Sequence, residues 1–166
     1  MQRNITIYTD GSSLGNPGAG GWGALVMSDK SVVELGGAEP ETTNNRMELT
    51  AMIKAFEMLA ERGITDYDVT VFADSKYVLN GLTSWISGWK AKGWKKADGK
   101  EVLNQDLWMA LDGLYEFLQT DNKLFLEHVK AHNGEVFNER VDDIARESAE
   151  GKNVELFDGS RGDYLV

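Results

Sequence analysis

The stretch that decides the fold lies near the amino terminus, where residues 4–26 read Asn-Ile-Thr-Ile-Tyr-Thr-Asp-Gly-Ser-Ser-Leu-Gly-Asn-Pro-Gly-Ala-Gly-Gly-Trp-Gly-Ala-Leu-Val. Residues 5–9 have the β-branched and aromatic character of a strand, which ends at a lone carboxylate, Asp10. A turn rich in glycine, serine and asparagine follows, and the chain re-enters a strand near Trp22. An acid at the carboxyl end of a strand, beside a glycine-rich loop, is typical of functional sites in open α/β sheets. The alternative is that Asp10 only caps the turn.

The composition is that of one globular domain. The chain has 166 residues, of which 42% are hydrophobic and 27% charged. No apolar run approaches the roughly 18 residues of a membrane span, and the first residues lack the apolar segment of a secretory signal. The sequence has no cysteine, which excludes disulfides and thiolate metal sites. We therefore expect a cytoplasmic protein with no membrane association. Composition does not encode the oligomeric state, for which we expect a monomer with no obligate protein partner.

The net charge is −10, from 17 Lys and Arg against 27 Asp and Glu. Taken alone, this acidity argues against a nucleic-acid partner, because polyphosphates are repelled by acidic surfaces. Five lysines, however, fall within eleven residues in which Asp98 is the only acid: Lys90, Lys92, Lys95, Lys96 and Lys100. Since screening acts over about 10 Å, distant acids do not cancel such a local basic patch.

The hydrophobic pattern predicts the element order β-β-β-α-β-α-α-α-β-α. The predicted strands are residues 5–10, 20–27, 32–38, 69–73 and 124–129, and the predicted helices end near residues 62, 80, 89, 118 and 149. Three meandering strands followed by alternating helices and strands predict an α/β fold. Its mixed five-stranded sheet has three antiparallel meander strands plus two parallel strands and is flanked by helices. We assign residues 1–150 to this single domain and expect residues 151–166 to form an irregular, mobile tail.

Three acids occupy positions where a sheet could gather them. Asp74 ends its strand as Asp10 does, so the two carboxylates stand side by side if the strands are parallel neighbours. Glu48 lies on the apolar face of the first long helix, which predicts that it points toward the sheet. The alternatives are a capping box between Asn45 and Glu48, and a role for Asp74 as the cap of a helix that begins at Ser75.

A fourth acid, Asp142, lies on the last helix. It shares a face with the small or polar residues Asn138, Ala145 and Ala149, whereas its neighbour Asp143 lies in a charged row. Four acids at strand ends and inward helix faces would repel one another strongly unless a cation neutralised them. Oxygen ligands without cysteine suit Mg²⁺ or Mn²⁺. Two such ions about 3.5–4 Å apart are the arrangement used for in-line attack on phosphodiesters.

The basic stretch also contains large aromatic residues. Its tryptophans and lysines alternate along the chain as Trp85, Trp89, Lys90, Lys92, Trp94, Lys95 and Lys96. This combination suits a surface that grips a phosphate backbone while rings lie against sugars or bases. The alternatives are a solvated lysine face and core packing of at least one tryptophan, and we expect Trp108 to be buried.

The chain has two histidines. His128 falls within the fifth predicted strand, where we interpret it as structural. His132 lies in a polar loop just before the helix that carries Asp142, where it could transfer protons near neutral pH. The alternative is that His132 is an ordinary surface residue.

Several segments, ordered along residues 4–150, resemble the type 1 ribonuclease H family of the bacterial kind, which has a basic protrusion. They are Tyr8-Thr-Asp-Gly-Ser with Gly15-Asn-Pro-Gly, Thr42-Thr-Asn-Asn-Arg-Met-Glu-Leu, Asp74-Ser, Trp85-Ile, Trp89-Lys, Gly93-Trp-Lys, residues 104–108, Val129-Lys-Ala-His and Asn138-Glu-Arg-Val-Asp. Any one of these segments would be weak, but together they are highly specific. The resemblance implies a ribonuclease H-like fold.

The resemblance also implies an endonuclease that cleaves the RNA strand of RNA/DNA hybrids and leaves 3′-hydroxyl and 5′-phosphate ends. It implies that two Mg²⁺ ions, for which Mn²⁺ can substitute, are held by Asp10, Glu48, Asp74 and Asp142. His132 would assist proton transfer and product release. The implied substrate contacts are Asn16, Asn44 and Asn45 on the RNA strand, Thr43 on a phosphate of the DNA strand, and the Lys/Trp segment on the DNA strand.

Some features depart from this family pattern. The net charge of −10 is unusual for an enzyme that binds a hybrid, and Ser13 and Lys76 stand where many relatives carry Cys and Gln. Two other classes share parts of the pattern. A sugar-kinase or actin-type ATPase would need a second strand-loop of the Asp10-Gly-Ser kind, which this short chain lacks. A transposase or integrase core would lack the Lys/Trp segment.

Overall fold

The centre of the structure is a mixed sheet whose strands are β1 (Arg3–Ser13), β2 (Gly18–Met27), β3 (Ser31–Thr42), β4 (Tyr67–Ala73), β5 (Lys123–His128) and β6 (Asp158–Ser160). The helices are α1 (Asn44–Glu61), α2 (Lys76–Asn80), α3 (Ile86–Ala91), α4 (Gln105–Asp121) and α5 (Val136–Ala149). A π-helical turn (Gly81–Trp85) joins α2 to α3, and a 3-10 turn (Arg161–Asp163) follows β6. The computed structural model describes residues 3–130 and 135–164.

The strands lie in the order β5-β4-β1-β2-β3-β6. β1, β2 and β3 form the predicted antiparallel meander. β4 pairs parallel with β1, and β5 pairs parallel with β4. Thr9 of β1 pairs with Ala73, the last residue of β4, so Asp10 and Asp74 each follow a directly matched pair on neighbouring parallel strands. The prediction that the first strand ends at Asp10 was wrong, because β1 continues to Ser13 in its pairing with β2. The predicted mixed α/β fold, with two strands that each deliver an acid to the same edge, is confirmed.

The sheet has six strands, and the prediction of five was wrong by one. β6 pairs antiparallel with the start of β3, where Ser31 lies opposite Ser160 and Val33 opposite Asp158. The strand consists of Asp-Gly-Ser, which has none of the β-branched or aromatic residues that signal a strand. Its extended conformation comes from pairing with β3. The prediction that the tail is irregular was therefore wrong for residues 158–160.

Helices cover both faces of the sheet. On one face, Ile7 of β1 packs in a cluster with Phe56 of α1 and Trp108 of α4. On the other face, Tyr8 of β1 packs in a second cluster with Val141 of α5. The two faces follow from the alternation of side chains along a strand. Trp108 is 0% exposed, which confirms its predicted place in the core.

None of the helices in the described part of the chain combines the length and the apolar character that a membrane crossing requires.

The segment between Ser75 and Trp89 is continuous, whereas the sequence predicted two helices separated at Gly81. Gly81 has helical angles (φ −61°, ψ −48°) and leads into the π-helical turn. A Cβ atom on Gly81 would lie 1.9 Å from Cη2 of Trp108. The glycine is therefore required for close packing rather than for ending a helix. The local sequence pattern does not show this requirement, because Trp108 lies 27 positions away.

This contact yields a stability prediction. Gly81→Ala should lower the free energy of unfolding by about 1–3 kcal/mol, because the new methyl group overlaps the Trp108 ring. Gly88→Ala is the matched control, since a Cβ atom there meets nothing within 4 Å and alanine raises helix propensity by up to about 1 kcal/mol. Urea unfolding of both variants measures the difference. Equal midpoints would show that the ring moves aside freely.

Candidate active site

Three carboxylates meet at the carboxyl edge of β1 and β4. Asp10 and Glu48 are buried and Asp74 is half-buried, and one oxygen of each lies within 4.8 Å of the others. α1 comes close enough to contribute Glu48 because residue 11 is glycine: a Cβ atom on Gly11 would lie 2.3 Å from the backbone nitrogen of Glu48. The structure thus brings together three of the four acids that the sequence analysis selected.

The helix-capping roles considered as alternatives for Glu48 and Asp74 are wrong. Thr43 caps α1, where its hydroxyl accepts a hydrogen bond from the backbone N–H of Arg46 at 3.2 Å. Ser75 caps α2 in the same way. Glu48 and Asp74 are therefore not used to begin helices, and their carboxylates remain available to the cluster.

Burial and mutual repulsion raise the pKa values of the cluster. Burial, followed by repulsion from Asp74, raises the pKa of Asp10 to about 8, although the backbone N–H of Gly11 donates to its Oδ1 at 2.8 Å. The pKa of Glu48 is raised well above its usual value by burial and then by Asp10 and Asp74, and that of Asp74 is raised by burial and then by Asp142.

The donor set fits a divalent metal ion. Glu48 is 5% exposed, and its Oε2 atom is buried without a hydrogen-bond partner among the described residues. An orphaned buried carboxylate oxygen is costly unless a cation or a proton compensates it. Oxygen ligands that converge in this way are those that Mg²⁺ and Mn²⁺ prefer.

Asp142 approaches the same site from α5. It is half-buried and lies outside the group of oxygens within 4.8 Å, but its charge helps to raise the pKa values of Asp10 and Asp74. Asp143 instead forms an ion pair with Arg146. The predicted inward face of α5 is confirmed, because its other members are buried: Asn138, Ala145 and Ala149.

The two histidines have different positions. His132 lies outside the residues that the structure describes. His128 is exposed at the end of β5, opposite Ala73 in the pairing with β4. Its charge acts to lower the pKa of Asp74, so His128 lies beside the acidic cluster rather than in the core.

The polar residues expected to contact the RNA strand lie together. Asn16, in the β1–β2 loop, accepts a hydrogen bond from the backbone N–H of Asn44 at 3.0 Å. Asn44 is exposed at the start of α1, next to the half-buried Asn45 and to Thr43, which caps the helix. The loop after β1 and the first turn of α1 therefore form one polar rim near Asp10.

The tryptophans form a chain from the core to the surface. The ring centroid of Trp89 lies 5.5 Å from that of Trp108, 6.0 Å from that of Trp85 and 6.3 Å from that of Trp94. Trp85 is 39% exposed, whereas Trp89 and Trp94 are half-buried. Part of this stretch thus packs on the core, as the alternative interpretation held, and part of it faces solvent.

The lysines of the same stretch are not equivalent. Lys90 forms ion pairs with Asp112, at 3.1 Å, and with Glu116, both on α4. Lys92, Lys95 and Lys96 are exposed, and none of the ion pairs found in residues 3–130 and 135–164 involves them. The charge of Lys90 is largely compensated, so these other lysines provide the available positive charge.

Sequence reasoning missed an ion pair that supports this region. Arg46 of α1 donates two hydrogen bonds to Asp106 of α4, at 3.0 and 2.8 Å, and a longer one to Asn104 at 3.3 Å. The bidentate geometry fixes the beginning of α1 against the beginning of α4. The partners are 60 positions apart, and nothing in the local sequence pairs them.

The raised pKa of Asp10 predicts how the stability of the metal-free protein depends on pH. Unfolded chains release this proton near pH 4, whereas the folded protein holds it up to about pH 8. The folded state binds more protons between these values, so stability falls as the pH rises through this range. Asp10→Asn removes the contribution of Asp10 to this pH dependence. In the presence of a chelator, the variant should match the wild type near pH 4 and exceed it by more than about 1.4 kcal/mol near pH 8.5, as measured by urea unfolding. A difference that does not depend on pH would contradict the raised pKa.

Comparison with known proteins agrees with this geometry. The RNase H family model matches residues 2–150. A ribonuclease H from a Cyanothece species is 50% identical over 151 residues, which cover 90% of this chain and 92% of the relative. The ribonuclease H of Novosphingobium aromaticivorans is 48% identical over 147 residues, which cover 89% and 97% of the two chains.

Solved structures give the same result. LC9-RNase H1, a type 1 RNase H with the type 2 active-site motif, superimposes with a TM-score of 0.82 at 29% identity and covers 96% of this chain and 79% of its own. LC11-RNase H1, solved in complex with an RNA/DNA hybrid, gives a TM-score of 0.65 at 25% identity, with coverage of 89% and 97%. Sequence, fold and the acidic edge of the sheet together show that the chain belongs to the RNase H family.

Proposed function

We propose that this protein is an endonuclease that hydrolyses the RNA strand of RNA/DNA hybrids and leaves 3′-hydroxyl and 5′-phosphate ends. The observation that carries the proposal is the convergence of Asp10, Glu48 and Asp74 within 4.8 Å at one edge of the sheet. Membership in a metal-dependent nuclease family and the similarity to an RNase H1 that was solved with a hybrid support it.

Asp10, Glu48, Asp74 and Asp142 are the residues that would hold two divalent ions. We propose Mg²⁺ as the natural ion, with Mn²⁺ as a substitute, because the donors are all carboxylate oxygens. When bound, two such ions would supply activation of the attacking water and stabilisation of charge on the leaving 3′ oxygen. The protein contributes a rigid frame, since Asp10 lies within β1, Asp74 directly follows the neighbouring strand β4, and Glu48 is buried in the first turns of α1.

The place of His132 in the sequence, between β5 and the helix that carries Asp142, supports a role in proton transfer, and the resemblance to the family extends the proposed role to product release. The proposed substrate contacts surround the cluster. Asn16, Asn44 and Asn45 would contact the RNA strand, where short polar side chains can distinguish ribose by its 2′-hydroxyl. Thr43 would bind a phosphate of the DNA strand.

The Lys/Trp segment is proposed to hold the DNA strand. Its exposed members, Lys92, Lys95, Lys96 and Trp85, form a mixed basic and aromatic surface, which suits binding to a backbone rather than reading of its bases. Lys90 would contribute less, since two acids on α4 already compensate its charge. We also propose that the protein works as a monomer in the cytoplasm, where RNA/DNA hybrids occur.

The central test is hydrolysis by Asp10→Asn. The amide keeps the shape of the side chain but cannot supply the charge that organises the metal ions. We expect cleavage of a labelled hybrid in Mg²⁺ to fall by at least about 100-fold, while hybrid binding in a gel-shift assay stays near wild type. Duplex DNA and ATP serve as control substrates. Near-normal turnover by the variant would contradict the metal assignment.

The two adjacent acids of α5 should behave differently. Asp142→Ala should lower the rate of Mg²⁺-dependent cleavage by at least about 100-fold and raise the melting temperature without metal, because it relieves repulsion at the site. Asp143→Ala loses only an exposed ion pair, so stability should change by about 0.5 kcal/mol and the rate should be unchanged. The reverse pattern of rates would place Asp143 at the site.

The proposed contribution of Lys92, Lys95 and Lys96 to substrate binding can be tested with two triple variants of equal net charge. The triple variant Lys92→Ala, Lys95→Ala, Lys96→Ala should raise KM and reduce the slope of log KM against log salt by up to about 3, one unit for each phosphate contact. The control removes three exposed lysines elsewhere, Lys30, Lys123 and Lys152, and therefore changes the net charge equally. If both variants behave alike, the effect of the Lys/Trp segment is one of overall charge.

A further inference from the structure

In addition to the pairing of β6 with β3, the C-terminal segment is held to the sheet by one buried carboxylate, that of Glu34 on β3. This side chain is 2% exposed and accepts four hydrogen bonds. They come from Nε and Nη2 of Arg140 at 2.8 and 3.0 Å, from the backbone N–H of Phe157 at 3.0 Å, and from the hydroxyl of Tyr164 at 2.6 Å. Arg140 also donates to the carbonyl of Glu155 at 3.0 Å. These five residues are called the Glu34 cluster below.

The Glu34 cluster reaches the helix that carries the fourth acid. Arg140 lies on α5, two residues before Asp142. The ring of Tyr164 stacks on Phe137 in the first turn of α5, with centroids 6.5 Å apart, and it also contacts Phe157 at 5.0 Å. A bidentate ion pair thus holds α5 to β3. The segment after α5 returns to the same part of the helix through the aromatic contact of Tyr164 with Phe137 and through the hydrogen bond from Arg140 to the carbonyl of Glu155.

The surface beneath α5 explains why such a hold matters. The helix rests on a strip of glycines: a Cβ atom on Gly21 would lie 2.3 Å from the carbonyl oxygen of Ala145, and one on Gly23 would lie 2.7 Å from that of Val141. Close contact sets the distance between helix and sheet. A strip without side chains, however, offers fewer interlocking ridges against sliding or rotation than a normal helix contact. A bidentate arginine–carboxylate pair is directional and supplies this constraint.

We propose that Glu34, Arg140 and Tyr164 are positioning residues for Asp142, so that the C-terminal segment forms part of the support of the active site. The inference rests on the proposed function, because it takes Asp142 to be a metal ligand. It predicts that weakening the Glu34 cluster reduces metal affinity at a site formed by other residues.

The test uses two variants and two controls. Glu34→Gln keeps the volume of the side chain but removes its charge and one acceptor, so the bidentate pair is lost. Tyr164→Phe is a milder change that removes one hydrogen bond. Arg161→Ala is the control in the same segment, since its side chain donates to the carbonyl of Ser28 at 2.9 Å and not to the cluster. Ile53→Val, a substitution in the core on α1 and away from the Glu34 cluster, controls for a general loss of stability.

Two readouts separate positioning from simple stability. The first is the Mn²⁺ concentration at the midpoint of the metal-induced rise in melting temperature. It should increase about 10-fold for Glu34→Gln, by a smaller factor for Tyr164→Phe, and not at all for the controls. The second is amide hydrogen exchange in the metal-free protein. Residues 138–142 should exchange faster in both variants while α1 is unchanged.

The inference is overturned if Glu34→Gln and Tyr164→Phe lower the melting temperature but leave both the metal midpoint and the exchange of α5 at wild-type values. Failure of the proposed function looks different. In that case the wild type would not cleave hybrid or respond to Mn²⁺, yet hydrogen exchange without metal would still report whether the Glu34 cluster holds α5. Unchanged exchange in α5 would then reject the positioning role by itself.

Discussion

Electrostatic repulsion among buried carboxylates is the constraint on which this structure depends. Asp10, Glu48 and Asp74 are held within 4.8 Å of one another, and burial and mutual repulsion raise the pKa of each. Such a cluster opposes folding when it is charged and free of metal. The rest of the molecule must therefore supply enough packing energy to hold it, and a bound cation reverses the balance by neutralising the charge.

The frame meets this demand through close backbone approach. Gly11 brings α1 against β1, and Gly21 and Gly23 let α5 lie directly on β2. In each case a larger residue would push an acid-bearing helix away from the sheet. The register of β1 and β4, in which Thr9 pairs with Ala73, places Asp10 and Asp74 next to each other. Asp10, Glu48 and Asp142 lie on strands or helices, and Asp74 directly follows the last residue of β4. This placement on or next to rigid elements favours a site of fixed geometry.

The distribution of charge reconciles an acidic protein with a polyanionic substrate. The net charge is −10, yet Lys92, Lys95 and Lys96 remain exposed and outside the ion pairs of the described residues. Lys90 belongs to the same stretch but forms ion pairs with Asp112 and Glu116 of α4. Attraction is therefore local, and we expect affinity for a hybrid to depend on this segment and on ionic strength more than on the total charge.

The sequence alone determined the mixed character of the sheet, the candidate acids and the inward face of α5, because those features follow from strand patterns and from helical periodicity. It left open whether β1 and β4 are neighbours, which the strand order of the sheet decided. Tertiary structure decided what depends on distant partners. The need for glycine at residue 81 comes from contact with Trp108. The charge of Lys90 is compensated by Asp112 and Glu116. The extended conformation of β6 depends on its pairing with β3. The buried position of Glu34 likewise requires Arg140 and Tyr164, more than 100 residues away. Local sequence patterns show which secondary structure a residue favours and which side of a helix or strand it occupies. They do not show which distant side chain forms its hydrogen bonds, ion pairs or packing contacts.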